Sequence, residues 1–565
     1  MRKSILILLA ILAFDVWYRS HTFGPTVVDA TGMRLWPAAV GPSEPLDCDE
    51  AIYAHMGRRI LAGDVLYRDL TENKPPLGYW LYATPIAILG YNETAIRLFP
   101  IPYVLATIAI VWWIGVRLSG PLAGGLAAFL FAVLSTDPYL FGNGSNLEHL
   151  MNFFAIASLG LMIRGWERGG TWPFVLAGVT IGAATLVKQV AILPFGVYLA
   201  ALVLRPMGSR WKSLGAISLG LLGTLGAAAL VLVAQGAGVS AYDDIVRFGR
   251  AMATDLPPEP GAPSGWVRWL TGNADPQGAL PWPFGKTAYL VWWAGGSWPA
   301  WVALFPCLAH VAFAPTTSAT RRLLAAWTAA TMAEVVLPGM YWPHYYLLAT
   351  PGLALAMAIT GADCLAGLRA KVRPSDLAGA GVVVLATLGT LYLQTRDYLL
   401  CPPQELTTRY KGGGQWVVLR ELGRELDRRK VVFENPGLFV WGWQSPLFFY
   451  GRLDQASRHL FTDNLLRDYA DKPHPLITPR VAEILEDLKA KRPPLIFVGY
   501  PPFPALRSFL IEGYLPSRLV PTGNGLGLWV AKDHYAAFEN FDGPGTAGPL
   551  KALAGPAGGG PGPGR

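Results

Sequence analysis

The sequence predicts a polytopic α-helical membrane protein with about eleven transmembrane helices and a small α/β domain at its C-terminal end. Three observations predict it. Charged residues make up only 15% of the 565 residues and hydrophobic ones 52%, whereas ordinary soluble domains carry roughly 25% charge. Apolar stretches of spanning length recur along residues 1–395, and the basic residues between them alternate from one connection to the next. From residue 396 the pattern changes to short strand-like and helix-like segments in turn.

A span needs roughly 20 mostly apolar residues. The stretches that meet this are about 4–19, 95–116, 121–138, 149–164, 172–187, 190–206, 213–236, 286–313, 322–341, 345–362 and 377–395. With the N-terminus inside, the inner connections carry Arg2, Lys3, Arg117, Arg164, Arg168, Arg205, Arg210, Lys212, Arg321, Arg322, Arg369, Lys371 and Arg373, against Glu167, Asp363 and Asp376 alone. Basic residues collect on the cytoplasmic side of membrane proteins. The expected location is therefore the cytoplasmic (inner) membrane, with the N-terminus in the cytoplasm and the C-terminal domain outside it. The net charge of +8 comes from these loops, and no nucleic-acid partner is expected.

Two stretches need a decision. "MRKSILILLAILAF" has the basic start and apolar core of a signal peptide, but no small-residue cleavage site follows; it is read as a retained first helix. "KPPLGYWLYATPIAILG" (74–90) is short and opens on Pro-Pro, and a span there would invert every later connection. It is read as a helix on the outer membrane face, with Tyr79, Trp80 and Tyr82 at headgroup level.

The expected domains are a membrane domain over 1–395 with a first outer loop of about 20–94, an extracytoplasmic α/β domain over 396–540, and a disordered Gly/Pro tail over 541–565. In the second domain "QWVVLRELGRELDRRK" and "PRVAEILEDLKAKR" read as helices, and "VVFENPGLFVWGW", "PPLIFVGY" and "LGLWVAKD" as strands. Cys48, Cys307, Cys364 and Cys401 have no metal-ligand spacing. There is no Walker A sequence and no HExxH, and "GNGLG" at 523–527 reads as a turn.

Against this charge-poor background, "DCDEAIYAHMGRR" (47–59) places Asp47, Asp49 and Glu50 within four positions of the first outer loop. The second outer loop, "DPYLFGNGSNLEH", brings Glu148; the third, "VKQVAILP", brings Lys188; the fifth, "GMYWPHYYLLATPG", brings His344. The fourth, about 237–285, contains a helical "AYDDIVRFGRAMA". Acids and cations thus gather on the outer face. Such a set suits transfer of a sugar from a lipid-linked phosphate. Phosphate leaves without a proton when cations steady its charge, and a carboxylate within hydrogen-bond reach takes the proton of the acceptor hydroxyl. Direct displacement inverts the anomeric carbon.

The run "DCDEAIYAHMGRRILAGDVLYRDLTENKPPLGYWLYATPIAILGYNETAIRLFPI" resembles the first outer loop of GT-C membrane glycosyltransferases. It is most similar to the family 39-type bacterial branch of protein O-mannosyltransferases and aminoarabinose–lipid A transferases. The shared features are Asp49 and Glu50 followed by Tyr53, then "AG", "YRD", "KPPLGYW" and "NETAIRL". "GNGSNLEHLMNFF", "VKQVAILPF" and "HYYLLATPGLAL" extend the resemblance to about residue 400, and "VWGWQSPLFFYGR" continues it loosely beyond.

The resemblance implies a GT-C fold and a polyprenyl-phosphate sugar as donor, with a lipid, glycan or protein acceptor. It implies Asp49 as base, Glu50 as the residue that orients the first-loop helix or the acceptor, and Glu148 as the second acid. Lys74 would meet the donor phosphate, with Lys188, His344, Arg58, Tyr53 and Tyr345 completing the substrate contacts. Some relatives bind a divalent metal through a first-loop Glu and a later His. Glu72 is near Lys74 but not adjacent to it, and no metal or other cofactor is expected here.

Plainer roles stand beside these. Asp49 can serve as an N-cap, although a cap needs one acid and not three, and Asp47 reads as a loop or capping residue. Lys188 can snorkel to headgroups. His344 can belong to an aromatic belt with Tyr341, Trp342, Tyr345 and Tyr346, and Arg58 and Arg59 can face anionic lipid. Asn146 is a possible neighbour of Glu148, and Cys48 can pair with Cys401 outside the cytoplasm. The competing functions are a lipid or sugar transporter or flippase and a non-catalytic scaffold. Transporters favour ionisable residues at the bilayer midplane and internal repeats; here the acids lie in loops and no repeat is evident.

Overall fold

The structure, a computed structural model, describes residues 2–26, 43–204, 210–254, 296–315, 317–337, 342–462, 465, 473–520 and 526–541. Arg205, Tyr341, residues 286–295, residues 523–525 of the expected turn, and the Gly/Pro tail from 542 lie outside the described residues.

Helices form where the apolar stretches predict them: Arg2–Arg19, Ile101–Leu134, Leu147–Arg168, Trp172–Val187, Leu193–Leu204, Arg210–Ala234, Trp298–Phe313, Ala319–Val336, Thr350–Ala370 and Pro374–Gln394. Among the described residues, five runs are long and apolar enough to cross a membrane: Lys3–Phe23, Glu93–Leu134, Arg210–Ala234, Pro343–Ala370 and Pro374–Leu399. Leu77–Leu89, Trp172–Val187, Gln189–Leu204 and Trp298–Phe313 are shorter apolar helices.

Ile101–Leu134 is broken at Ser119 and Gly120. Gly120 takes φ 85°, which a side chain would resist, and Pro121 starts the second half. The chain then returns along itself, with Gly124 against Gly115. The connections expected on the inner side meet at this end of the bundle. Arg117 pairs with Glu167 at 2.7 Å, and Arg321 reaches Asp363 at 2.6 Å and the Leu118 carbonyl at 3.0 Å.

Lys188 directly follows the helix Trp172–Val187, which packs tightly on Arg210–Ala234. The two backbones touch at Gly178 and Gly220, the close approach that small residues permit between membrane helices. A Cβ at Gly178 would lie 2.0 Å from the Ile217 carbonyl oxygen.

The stretch 74–90 does form a helix, Leu77–Leu89, but two of its three aromatic anchors are not at a membrane surface. Tyr79 and Tyr82 are fully buried and meet Tyr53 edge-on at 5.5 Å each. Tyr82 also packs on Phe99 at 4.8 Å and donates its hydroxyl to the Ser145 carbonyl. The period of this helix turns its tyrosines towards the first-loop helix and leaves Ile88 and Leu89 exposed.

Beyond residue 400, helices Pro403–Tyr410 and Gln415–Arg429 lead into a five-stranded sheet. Its strands are β1 (Gly437–Trp441), β2 (Asp454–Gln455), β3 (Leu495–Val498), β4 (Tyr514–Pro516) and β5 (Gly527–Ala531), in the order β2-β1-β3-β5-β4. β1 runs parallel to β2 and β3; β5 is antiparallel to β3 and β4. Helix Thr478–Lys491 lies between β2 and β3 in sequence and gives Ile484 and Leu488 to the same core as Phe439 and Ile496.

Gly178→Ala is expected to destabilise the protein by about 1–3 kcal/mol, the usual cost of overpacking, seen as a lower thermal unfolding midpoint. Gly223→Ala, on the same helix pair but with open space at its Cβ, is expected not to lower the midpoint.

Candidate active site

The three first-loop acids have three different positions. Asp47 is the N-cap of helix Cys48–Leu61 and accepts from the Glu50 amide at 3.0 Å; Glu50 accepts from the Asp47 amide at 3.1 Å. This is a reciprocal capping box. It settles the capping question in favour of Asp47 and leaves Asp49 unoccupied as a cap. Asp49, on the first turn, is 21% exposed.

Glu50 is fully buried. Its Oε1 accepts from Arg97 Nη1 at 2.6 Å and from the Ser145 amide at 2.6 Å. Both oxygens are engaged within the protein and tie the first turn of this helix to Arg97 and to the second outer loop. Arg97 also donates to the Pro45 carbonyl at 2.9 Å and lies 3.8 Å from Glu44. Burial raises the Glu50 carboxyl, but Arg97, Lys411 and the two amides outweigh it and hold the group below its ordinary range.

Of the remaining predicted residues, Glu148, Lys188, His344, Tyr345, Lys74 and Tyr53 gather beside Asp49. His344 Nε2 lies 3.9 Å from Asp49 and 3.8 Å from Glu148. Glu148, buried in the first turn of Leu147–Arg168, is ion-paired with Lys188. The Lys188 ammonium sits 4.3 Å from the centre of the Tyr345 ring, and Tyr345 meets His344 edge-on at 4.8 Å. Lys74 lies 5.3 Å over Tyr53 and 3.5 Å from Glu72. Burial lowers the Lys74 ammonium; Glu72, Asp49, Tyr345 and Glu148 more than restore it, so it stays charged. His344 Nδ1 is buried without a hydrogen-bond partner.

Arg58 does not join this group. It donates to the Leu453 carbonyl at 3.0 Å and to Asp454 at 2.7 Å, and stacks on Tyr91 at 5.2 Å. Arg59 pairs with Asp64 and Asp454. Both arginines face the α/β sheet and neither lipid nor phosphate, because they lie at the far end of the first-loop helix from Asp49. Cys48 and Cys401 do not form a disulfide; Cys401 is buried in a cluster with Tyr18, Tyr398 and Leu406. Among the described residues, no three His, Cys, Asp or Glu side chains are grouped to hold a metal ion.

Sequence reading missed the charges behind the site. Arg97 lies inside "NETAIRL", where one Arg in a short apolar helix was the available signal. Glu44 and Lys411 belong to no pattern, yet pair at 2.9 Å with both side chains fully buried. A shallow cleft also opens next to Glu72, lined by Asn73, Phe248, His459, Phe461 and Arg480.

Comparison with known proteins finds likeness in sequence over part of the chain and in fold over most of it. Residues 73–234 match the family model of dolichyl-phosphate-mannose-protein mannosyltransferase. An uncharacterized protein of Aquifex aeolicus (strain VF5) is 29% identical over 164 residues, which are 28% of this chain; the match spans 33% of that relative's length. ArnT from Cupriavidus metallidurans bound to undecaprenyl phosphate shares the fold at a TM-score of 0.54 and 16% identity, over 93% of this chain and 97% of that one. Archaeal oligosaccharyltransferase AglB from Archaeoglobus fulgidus, in complex with an inhibitory peptide and a dolichol-phosphate, matches at 0.51 and 12%, over 87% and 69%. Fold and site define a multi-helix membrane protein with ionisable side chains gathered at one end of its bundle. By fold, the chain is similar to these two solved structures over most of its length.

Burial, and then the charge of Glu50, push the Asp47 carboxyl up to about 8 despite the opposing pull of Lys411. A carboxyl raised in the folded state stabilises the fold most below its unfolded value and loses that contribution as pH rises through its folded value. Asp47→Asn keeps the capping acceptor and removes the titration. Between about pH 5 and about pH 8 the thermal midpoint of this variant is expected to fall less than that of the wild type.

Proposed function

We propose that the protein is an inverting glycosyltransferase that moves a sugar from a polyprenyl-phosphate donor to an acceptor hydroxyl on the outer side of the cytoplasmic membrane. One observation carries the reading. Asp49, Glu148, Lys188 and His344, from four distant segments, converge within 3.9 Å contacts at one end of the bundle, on a fold shared with ArnT bound to undecaprenyl phosphate.

In this reading Asp49 takes the proton of the acceptor hydroxyl as its oxygen attacks the anomeric carbon. The bond from that carbon to the phosphate oxygen breaks on the opposite face, and the lipid phosphate leaves with the bonding electrons. Lys74 and Lys188 meet its charge, so the reading calls for no cofactor. Glu148 holds Lys188 in place, and Tyr53 and Tyr345 fix the two ammonium groups from below. The acceptor in this reading is a lipid, a glycan or a protein.

The same reading takes the membrane domain as residues 1–395 with about eleven spans and a cytoplasmic N-terminus. The sheet-bearing domain over 396–540 then lies outside. Its support is the meeting of basic connections at the bundle end remote from Asp49 and the preference of such residues for the cytoplasmic side.

Mass analysis of products after mixing the purified protein with a panel of polyprenyl-phosphate sugars and candidate acceptors is expected to show transfer, and NMR of the product's anomeric centre is expected to show inversion. Asp49→Asn is expected to lose about 10²–10⁴-fold in kcat while still binding undecaprenyl phosphate. A variant that turns over like the wild type would show that Asp49 is not the base, and a protein inert towards the whole panel would sink the transfer reading.

A further inference from the structure

We propose that Lys411 is a positioning residue for the transfer reaction, reaching back from beyond the last helix of the bundle to hold the acidic first loop, and with it Asp49, in working geometry. The proposal rests on the transfer reading above.

Lys411 caps the C-terminal end of helix Pro403–Tyr410. A lysine at such a place ordinarily extends into water. This one is fully buried, with its ammonium 2.9 Å from Glu44 Oε1 and 5.8 Å over the Phe141 ring. Glu44 is the meeting point of four segments. Besides its ion pair with Lys411 it accepts from Asn143 Nδ2 at 2.6 Å and from the Thr407 hydroxyl at 3.2 Å, and it lies 3.8 Å from Arg97. Asn143 and Phe141 belong to the loop that presents Glu148. Glu44 leads directly into the capping box that presents Asp49. One buried carboxylate therefore joins both acid-bearing loops to a segment that follows residue 400.

The charges explain why a cation is required there. Glu44 and Glu50 are buried carboxylates with the Asp47 carboxyl between them, and the cations set among them are Arg97 and Lys411. Removing one partner of a buried pair leaves an uncompensated charge, which costs far more than the pair itself contributes. Without Lys411, Glu44 must find water or turn away, and either movement passes to the first turn of the helix carrying Asp49. By contrast, the neighbouring Glu405–Arg409 pair on the same helix is exposed and touches none of this group.

The test uses the full chain in nanodiscs, with two readouts: donor turnover on the polyprenyl-phosphate sugar panel, and hydrogen exchange over residues 43–50 and 141–149. Lys411→Met is expected to lower kcat about tenfold or more, with KM for the donor changed less than about twofold, and to speed exchange in both segments. Adding Glu44→Gln removes the stranded charge and is expected to recover most of both losses. Lys411→Arg is expected to retain most activity, and Arg409→Ala to change neither readout. Wild-type turnover in Lys411→Met, or a double variant no better than the single one, overturns the proposal. If Lys411→Met does not fold, Lys411→Arg and the double variant carry the comparison. Should the wild type turn over no donor, the transfer reading fails and exchange alone decides. Lost protection restored by Glu44→Gln then upholds the coupling, and unchanged protection sinks it.

Discussion

The contact between Glu50 and Arg97 is the constraint on which the rest depends. Both side chains are buried, and the carboxylate oxygen that Arg97 reaches at 2.6 Å also accepts the Ser145 amide. A carboxylate in such a place survives only with its charge matched and its lone pairs occupied. The geometry that satisfies it fixes the entry of the first-loop helix, the path of the second outer loop and the start of the chain's first long hairpin together. None of these elements can move far without stranding a charge.

That arrangement explains why a chain poor in charge gathers three acids within four residues. Asp47 and Glu50 close a capping box on each other and Glu50 anchors the helix to the bundle, so Asp49, between them, is presented on a turn held from both sides. Preorganisation of this kind is what a base in hydrogen-bond reach of its substrate needs. The cations are held in the same manner, each over a tyrosine ring and beside a carboxylate: Lys74 with Tyr53 and Glu72, Lys188 with Tyr345 and Glu148.

Much of the bundle was legible because hydrophobic run length and loop charge are direct consequences of a membrane, and the helices appear where those runs lie. The convergence of Asp49, Glu148, Lys188 and His344 was legible because each is an ionisable residue beside a helix end that the alternation of basic connections assigns to the same side. What escaped were contacts between distant segments. Arg58 looks like a phosphate ligand by residue type, yet its partner Asp454 lies 396 residues away. Tyr79 and Tyr82 have the composition of a membrane-interface belt, and only the packing against Tyr53 shows that they are interior. Glu44 and Lys411 sit in no pattern, because a buried ion pair is specified by three-dimensional neighbours and not by spacing.

The sheet-bearing region is thus joined to the bundle by two kinds of fastening. At Glu44 and Lys411 the charges are sealed from solvent; at Arg58, Arg59 and Asp454 the carboxylate is 56% exposed. Dissolved salt screens wet pairs and scarcely reaches dry ones. A rise in ionic strength would therefore weaken the ion pairs at strand β2 first and scarcely touch the Glu44–Lys411 attachment, so that the medium around the protein acts unequally on the two sides of this junction.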